Sequence, residues 1–194
     1  MDTNRTIEAA IRPVEPWIDK VEEALGHSPH PAIVALPLGA VVVSNTCDVL
    51  GMLTGGEAYD DAARLGLGIG LVGAVGAAVT GLRDYSFIPR DRPSRPVATT
   101  HGIGNGVATA LLGASYVLRS LDHGAGRRPR LTARLLALAG GGLSLYTAWL
   151  GGVLVEEYGE AVKPVMERQG DDEESGRDRL DPDSPLGRHE SAEA

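Results

Sequence analysis

Residues 31–53, PAIVALPLGAVVVSNTCDVLGML, decide how this chain is read. They hold one formal charge, Asp48, in 23 positions. A helix needs roughly 20 residues, at about 1.5 Å rise each, to cross the hydrocarbon core of a bilayer. Three further stretches, 65–82, 102–118 and 131–155, have the same character, and polar clusters separate them. The expected fold is all-α: an integral membrane four-helix bundle with an interfacial N-terminal segment and a disordered C-terminal tail. The expected divisions are 1–30, 31–162 and 163–194.

The totals look soluble only because polar ends dilute an apolar middle. Mean hydropathy is −0.05 and the formal net charge is −8. From 167 to 194 the chain holds ten acidic residues and four arginines, so most of the negative charge sits there. That segment has no aromatics and few large apolar residues, too little to offset the entropy of ordering it. The acidic balance argues against nucleic acid as a partner. The single cysteine, Cys47, forms no disulfide within the chain and supplies no Cys-based metal cluster. Its expected role is a small core side chain. The first thirty residues are charged throughout and lack the apolar run of a secretory signal. The first crossing helix is therefore expected to direct insertion.

Ile7, Ile11, Val14, Ile18, Val21 and Leu25 recur at 4-3-4-3-4 spacing, one stripe of a helix. Pro13 and Pro16 interrupt it, so a broken helix is expected, best from Trp17 to Leu25. Trp17 suits a headgroup-level anchor. In the first crossing Pro37 predicts a kink, and Ser44, Asn45 and Asp48 share its protein-facing side. Gly66, Gly70, Gly73, Ala77 and Gly81 give the second crossing a small-residue face for close packing against a neighbour or for self-association. Gly102, Gly106, Thr109 and Gly113 share one face of the third, beside His101, Asn105 and Ala108. Residues 54–61, 83–98 and 119–130 are read as connections, the last two basic. Neither glycine string is a phosphate loop, since no strand precedes and no Gly-Lys-Ser/Thr follows.

With four crossings, both termini and the second connection share a side. That side collects Arg5, Arg12, Lys20, Arg83, Arg90, Arg92, Arg95, Lys163 and Arg168, nine basic residues. The other collects Arg64, Arg119, Arg127, Arg128, Arg130 and Arg134, six. The excess predicts cytoplasmic termini in the cell (inner, cytoplasmic) membrane.

His27 and His30 precede the first crossing and His101 opens the third, which runs the same way. Asp84, Glu156, Glu157 and Tyr158 end the second and fourth at the same face. Ionisable groups at membrane depth point to function by default. Three readings stand. The histidines hydrogen-bond to loops and headgroups. His30 and His101 ligate a b-type haem axially, beside Asn105. Or His27, His30, Asp84 and His101 hold a divalent metal. Asp48 with Asn45 is a further candidate, either for a proton or cation path, or for local hydrogen bonds to Ser44, Asn45 or Thr46, or for a reach to the far interface near Gly51.

The ordered motifs Gly26-His27-Ser28-Pro29-His30-Pro31, Pro37-Leu38-Gly39, Asp48, Gly81-Leu82-Arg83-Asp84-Tyr85, His101 with Asn105, and Gly151-Gly152 with Tyr158-Gly159 carry a family resemblance. Over about residues 25–162 the chain resembles the bacterial four-helix membrane proteins catalogued as domain of unknown function 2231. The resemblance marks His27, His30, Asp84, His101 and Asn105 as matching positions and assigns them no role. Some members look fused to a Rieske-type iron–sulfur domain, which implies redox work. This chain has no Cys–His cluster in its tail, so a redox partner would be a separate protein. The leading expectation is a non-enzymatic membrane protein, bilayer-embedded, with a His/Asp cluster on one face. Haem-based electron transfer and Asp48-dependent ion transport, the latter in a homo-oligomer, are the alternatives.

Overall fold

The computed structural model describes residues 3–160, and the charged tail lies outside the described residues. All regular structure among them is helical: α1 (Thr3–Ile11), α2 (Glu15–Leu25), α3 (His30–Thr54), α4 (Glu57–Phe87), α5 (Arg95–Gly124) and α6 (Leu131–Glu156). Three of them, α3, α4 and α6, are long and apolar enough to cross a membrane. At 30 residues α5 has the length. Its glycines, Asn105, Ser115 and charged ends dilute its apolarity.

The helices overrun the apolar stretches that announced them. Residues 57–64 continue α4, 83–87 extend it, and 95–101 and 119–124 lengthen α5. The expected connections shrink to Gly55–Gly56, 88–94 and 125–130. The proline in these ends, Pro96, sits in the first turn of α5, where its missing N–H has no intrahelical partner to lose, and the charged side chains find partners on neighbouring helices. Gly55, at φ 73°, ends α3 in the left-handed conformation that suits glycine. The N-terminal stripe forms two helices rather than one. Its Ile11 and Ile18 are buried while Trp17, Val21 and Leu25 stay exposed. α1 packs on α4, and α2 is tied to it by Arg83, which reaches Asp19 (2.6 Å) and Glu22 (2.7 Å).

Two hairpins, α3–α4 and α5–α6, make the closest packing, and α4 meets α5 and α3 meets α6 more sparsely. Glycine closes the first hairpin: a Cβ on Gly73 would lie 3.0 Å from the Pro37 ring, and one on Gly66 3.2 Å from the Ala40 carbonyl. The small face of α4 is thus spent within the chain. On α5 the glycine face and the packing face differ. Gly102 and Gly106 look outward with nothing within 4 Å, and Gly104 is the one pressed on α6. A small core of Val41, Leu67, Leu112 and Ala137 sits between the hairpins.

Burial is inverted relative to a water-soluble protein. Ser44, Asp48, Ser115 and Thr147 are 0% exposed, while Leu53 and Val72 are 77% and 76% exposed. Lipid rewards that arrangement: apolar side chains face hydrocarbon, and interior polar groups bond across helices.

Candidate functional site

The two hairpins repeat one pattern. Positions on α5 correspond to α3 at an offset of 71 (His30/His101, Ser44/Ser115, Asp48/Arg119), and positions on α6 to α4 at 70 (Ala63/Ala133, Gly70/Gly140, Gly81/Gly151). The contacts repeat too. Ser44 Oγ donates to the Ala63 carbonyl (2.8 Å) and Ser115 Oγ to the Ala133 carbonyl (2.6 Å). A Cβ on Gly81 would lie 2.8 Å from His30 Cε1, and one on Gly151 3.2 Å from His101 Cε1. Asp48 and Arg119, equivalent positions, meet each other. Equivalent residues facing across an interface imply an approximate two-fold running along the helices, a recurrent plan in membrane proteins.

At one end of that axis lies a buried ion network. Arg119 grips Asp48 with both terminal nitrogens, Nη1 at 2.8 Å from Oδ1 and Nη2 on Oδ2, and neither side chain is exposed. Arg119 Nε donates to Ser115 Oγ at 3.0 Å. Arg134 donates to the Asp48 carbonyl (3.0 Å) and to Asp60 Oδ1 (2.6 Å), and Arg128 Nε to Asp60 Oδ2 (2.8 Å). Each of these carboxylate contacts joins one hairpin to the other. Beside them Arg130 holds Asp122 with side-chain and backbone hydrogen bonds.

This network replaces two expectations. Asp48 does not bond to Ser44, Asn45 or Thr46. With both oxygens committed to Arg119 it works as an anchor between α3 and α5. Arg119 was read as a loop charge, and it is buried because α5 runs six residues beyond its apolar stretch. The offset of 71 was the sequence signal that could have paired them. Asn45 packs its amide on Gly141, and its Oδ1 has no hydrogen-bond partner.

The histidines lie at the opposite end. His101 Nδ1 donates to the Thr147 carbonyl at 2.8 Å. A carbonyl only accepts, so Nδ1 carries the proton and Nε2 keeps its lone pair. Asn105 Nδ2 approaches that Nε2 at 3.2 Å and also donates to the His101 carbonyl. Thr147 Oγ1 fixes the amide by donating to Asn105 Oδ1 (2.9 Å). His30 Nδ1 faces Thr80 Oγ1 at 3.1 Å. That hydroxyl also lies 3.0 Å from the Gly76 carbonyl and 3.2 Å from the Ala77 carbonyl, and when its one proton goes to either of them it accepts from His30. His30 also bonds the Ala77 backbone, the position equivalent to Thr147. His101 is thus an Nδ1–H tautomer, and each ring is held through Nδ1 by the partner helix of its own hairpin.

The rest of the expected cluster disperses. His27 is exposed and bonds only the neighbouring Ser28 carbonyl among its described contacts. Asp84 accepts from Ser28 Oγ at 2.7 Å, and the same oxygen receives the His30 N–H at 3.2 Å. Among the described residues, no three of His, Cys, Asp and Glu stand together as a metal-binding group. The quartet of His27, His30, Asp84 and His101 is therefore not assembled. Glu156 and Glu157 are exposed. Glu160 instead reaches inward to Ser94 (2.6 Å).

The chain matches, over residues 26–164, the family described as predicted membrane protein (DUF2231). No curated protein and no solved structure matched it.

Proposed function

The chain belongs to the DUF2231 family of predicted membrane proteins, and on that footing we propose that it crosses the cell membrane four times and binds a b-type haem between His30 and His101 for electron transfer. The observation that carries this reading is the matched imidazole pair. A metal-binding histidine presents Nε2 while Nδ1–H is fixed by a second acceptor; His101 is held in that way by the Thr147 carbonyl, and His30 sets its own Nδ1 on Thr80 Oγ1. They occupy equivalent positions on two hairpins that pack less closely on each other than within themselves. The inter-hairpin ion pairs of Asp48 and Asp60 lie at the other end, which favours the histidine end for a flat ligand.

His30 and His101 would hold the iron, and Asn105 would release its 3.2 Å contact to free His101 Nε2. The haem would supply a one-electron carrier. This chain's residues contribute ring orientation through Thr80 and the Thr147 carbonyl, and exclusion of water by the apolar helices. The electron partner would be a separate protein. Asp48, bound to Arg119, is the weaker candidate for a transport path.

The fourth crossing is α5. It packs along α6 and turns Ile103, Val107, Val117 and Leu121 outward. Both termini then share the cytoplasmic side. Arg119 and Arg134, counted above for the opposite side, are buried in ion pairs. On the terminal side Arg83 is likewise held in ion pairs and Arg95 is buried, so discounting both sets leaves the basic excess of three on the terminal side unchanged.

The test is the absorption spectrum of the detergent-purified full chain from haem-replete cells. A Soret band that shifts on reduction is expected, and His30→Ala and His101→Ala should each abolish it. Folded, monodisperse protein with no such band would overturn the haem reading. So would a band that survives both substitutions.

A further inference from the structure

The repeat breaks at one place. The first hairpin turns through Gly55–Gly56, whereas the second uses 125–130, which carries Arg127, Arg128 and Arg130. Against this longer turn lies an open cleft of about 340 Å³, lined by Gly51, Met52, Gly55, Arg128, Leu131 and Arg134. Its floor is the end of α3, and its wall is the start of α6.

The cleft is amphipathic. Gly55 has no side chain, and a Cβ there would lie 3.8 Å from Arg128 Nη1. Arg128 spends Nε and Nη2 on Asp60, each at 2.8 Å, and makes a long 3.4 Å contact from Nη2 to the Gly51 carbonyl, which leaves Nη1. A guanidinium has five donors, so Arg128 keeps some for a ligand. No side chain caps the N-terminus of α6, which opens at Leu131 in the same wall. That adds a favourable dipole for an anion.

Local charge favours an anion as well. Arg119, Arg127, Arg128, Arg130 and Arg134 are balanced by Asp48, Asp60 and Asp122, with Glu57 near Arg128. With Arg64 and Asp61 of the same end included, six arginines face five carboxylates, and one positive charge is in surplus. The rim is apolar: Met52 is 44% and Leu131 64% exposed. Both lie at helix ends, where hydrocarbon meets headgroup in the four-crossing arrangement. Cationic floor and apolar lip together match a molecule with an anionic head and alkyl chains.

We propose that this cleft binds an anionic phospholipid, its phosphodiester on Arg128 and the α6 N-terminus and its chains along Met52 and Leu131. The site lies at the end of the molecule away from His30 and His101 and does not depend on a haem.

The experiment measures thermal unfolding and native mass spectra of the detergent-solubilised full chain with phosphatidylglycerol, with phosphatidylcholine of the same chains, and with inorganic phosphate. Phosphatidylglycerol is expected to raise the melting temperature and remain bound, phosphatidylcholine and phosphate to do neither. Arg128→Gln should weaken phosphatidylglycerol binding about tenfold, the worth of one charge-assisted hydrogen bond. Met52→Glu leaves every ion pair named above in place, puts a negative charge on the apolar lip and should do the same. It serves also if Arg128→Gln fails to fold. Equal effects of the two lipids, full stabilisation by phosphate alone, or undiminished phosphatidylglycerol binding by Met52→Glu would overturn the proposal.

Discussion

Asp48 and Arg119 show what a buried charge does in this molecule. Two ions taken from water into an interior cost several kcal/mol each, on the order of what good pairing returns. The pair is therefore a better guarantee of geometry than of stability. Losing one partner is another matter, because the survivor is left buried and uncompensated. Arg119→Ala is expected to destabilise the fold by about 3–5 kcal/mol, read as a lower melting temperature in detergent. The exchange Asp48→Arg with Arg119→Asp should recover much of that loss, since equivalent positions face each other. If the double variant is no better than the worse single one, the pair does not carry the contact. Asp48 was visible in the sequence as a lone charge in an apolar run. Its partner was not, because Arg119 follows an apolar stretch, and hydropathy alone reads such a residue as loop.

At the scale of elements, hydropathy located the helix centres and misjudged their ends. α3 and α6 matched within a residue or two at each end, being bounded by Pro31 and Gly55 and by Arg130 and Glu157. α4 and α5 ran on through charged residues that found partners across the interface, and side-chain pairing of that kind leaves no local signal. Glycine spacing likewise predicted close packing and could not say which face. The structure separates the two kinds. Gly81→Ala would drive a Cβ to 2.8 Å from the His30 ring and Gly104→Ala to 2.5 Å from Thr147 Cγ2. Overpacking of this kind costs about 1–3 kcal/mol. Gly102→Ala meets open space and should be neutral or gain up to about 1 kcal/mol from helix propensity. Melting temperatures of the three variants decide it, and equal effects at positions 102 and 104 would contradict the packing described.

For the whole molecule, the all-helical membrane character was legible because composition fixes the solvent: long apolar runs cannot be satisfied by a 158-residue water-soluble core that leaves Leu53 and Val72 bare. The histidine end was legible in part. The sequence named His30, His101 and Asn105, and the helices bring His101 and Asn105 into contact. It could not show that His27 turns outward or that Asp84 serves Ser28. It also hid the repeat, since few identities survive at offsets of 71 and 70 while the contacts they make are retained.

Everything at the histidine end depends on α5 crossing the bilayer, which brings His101 to the depth of His30. Cysteine accessibility in intact cells tests this directly. In a background with Cys47→Ala, single cysteines are placed by Asp91→Cys, before α5, and Ala125→Cys, after it; both positions are exposed. The account predicts that a membrane-impermeant thiol reagent added outside labels position 125 and spares position 91 until the membrane is opened. Labelling of both positions from the same side would show that α5 does not cross, and the paired-histidine site would fall with it.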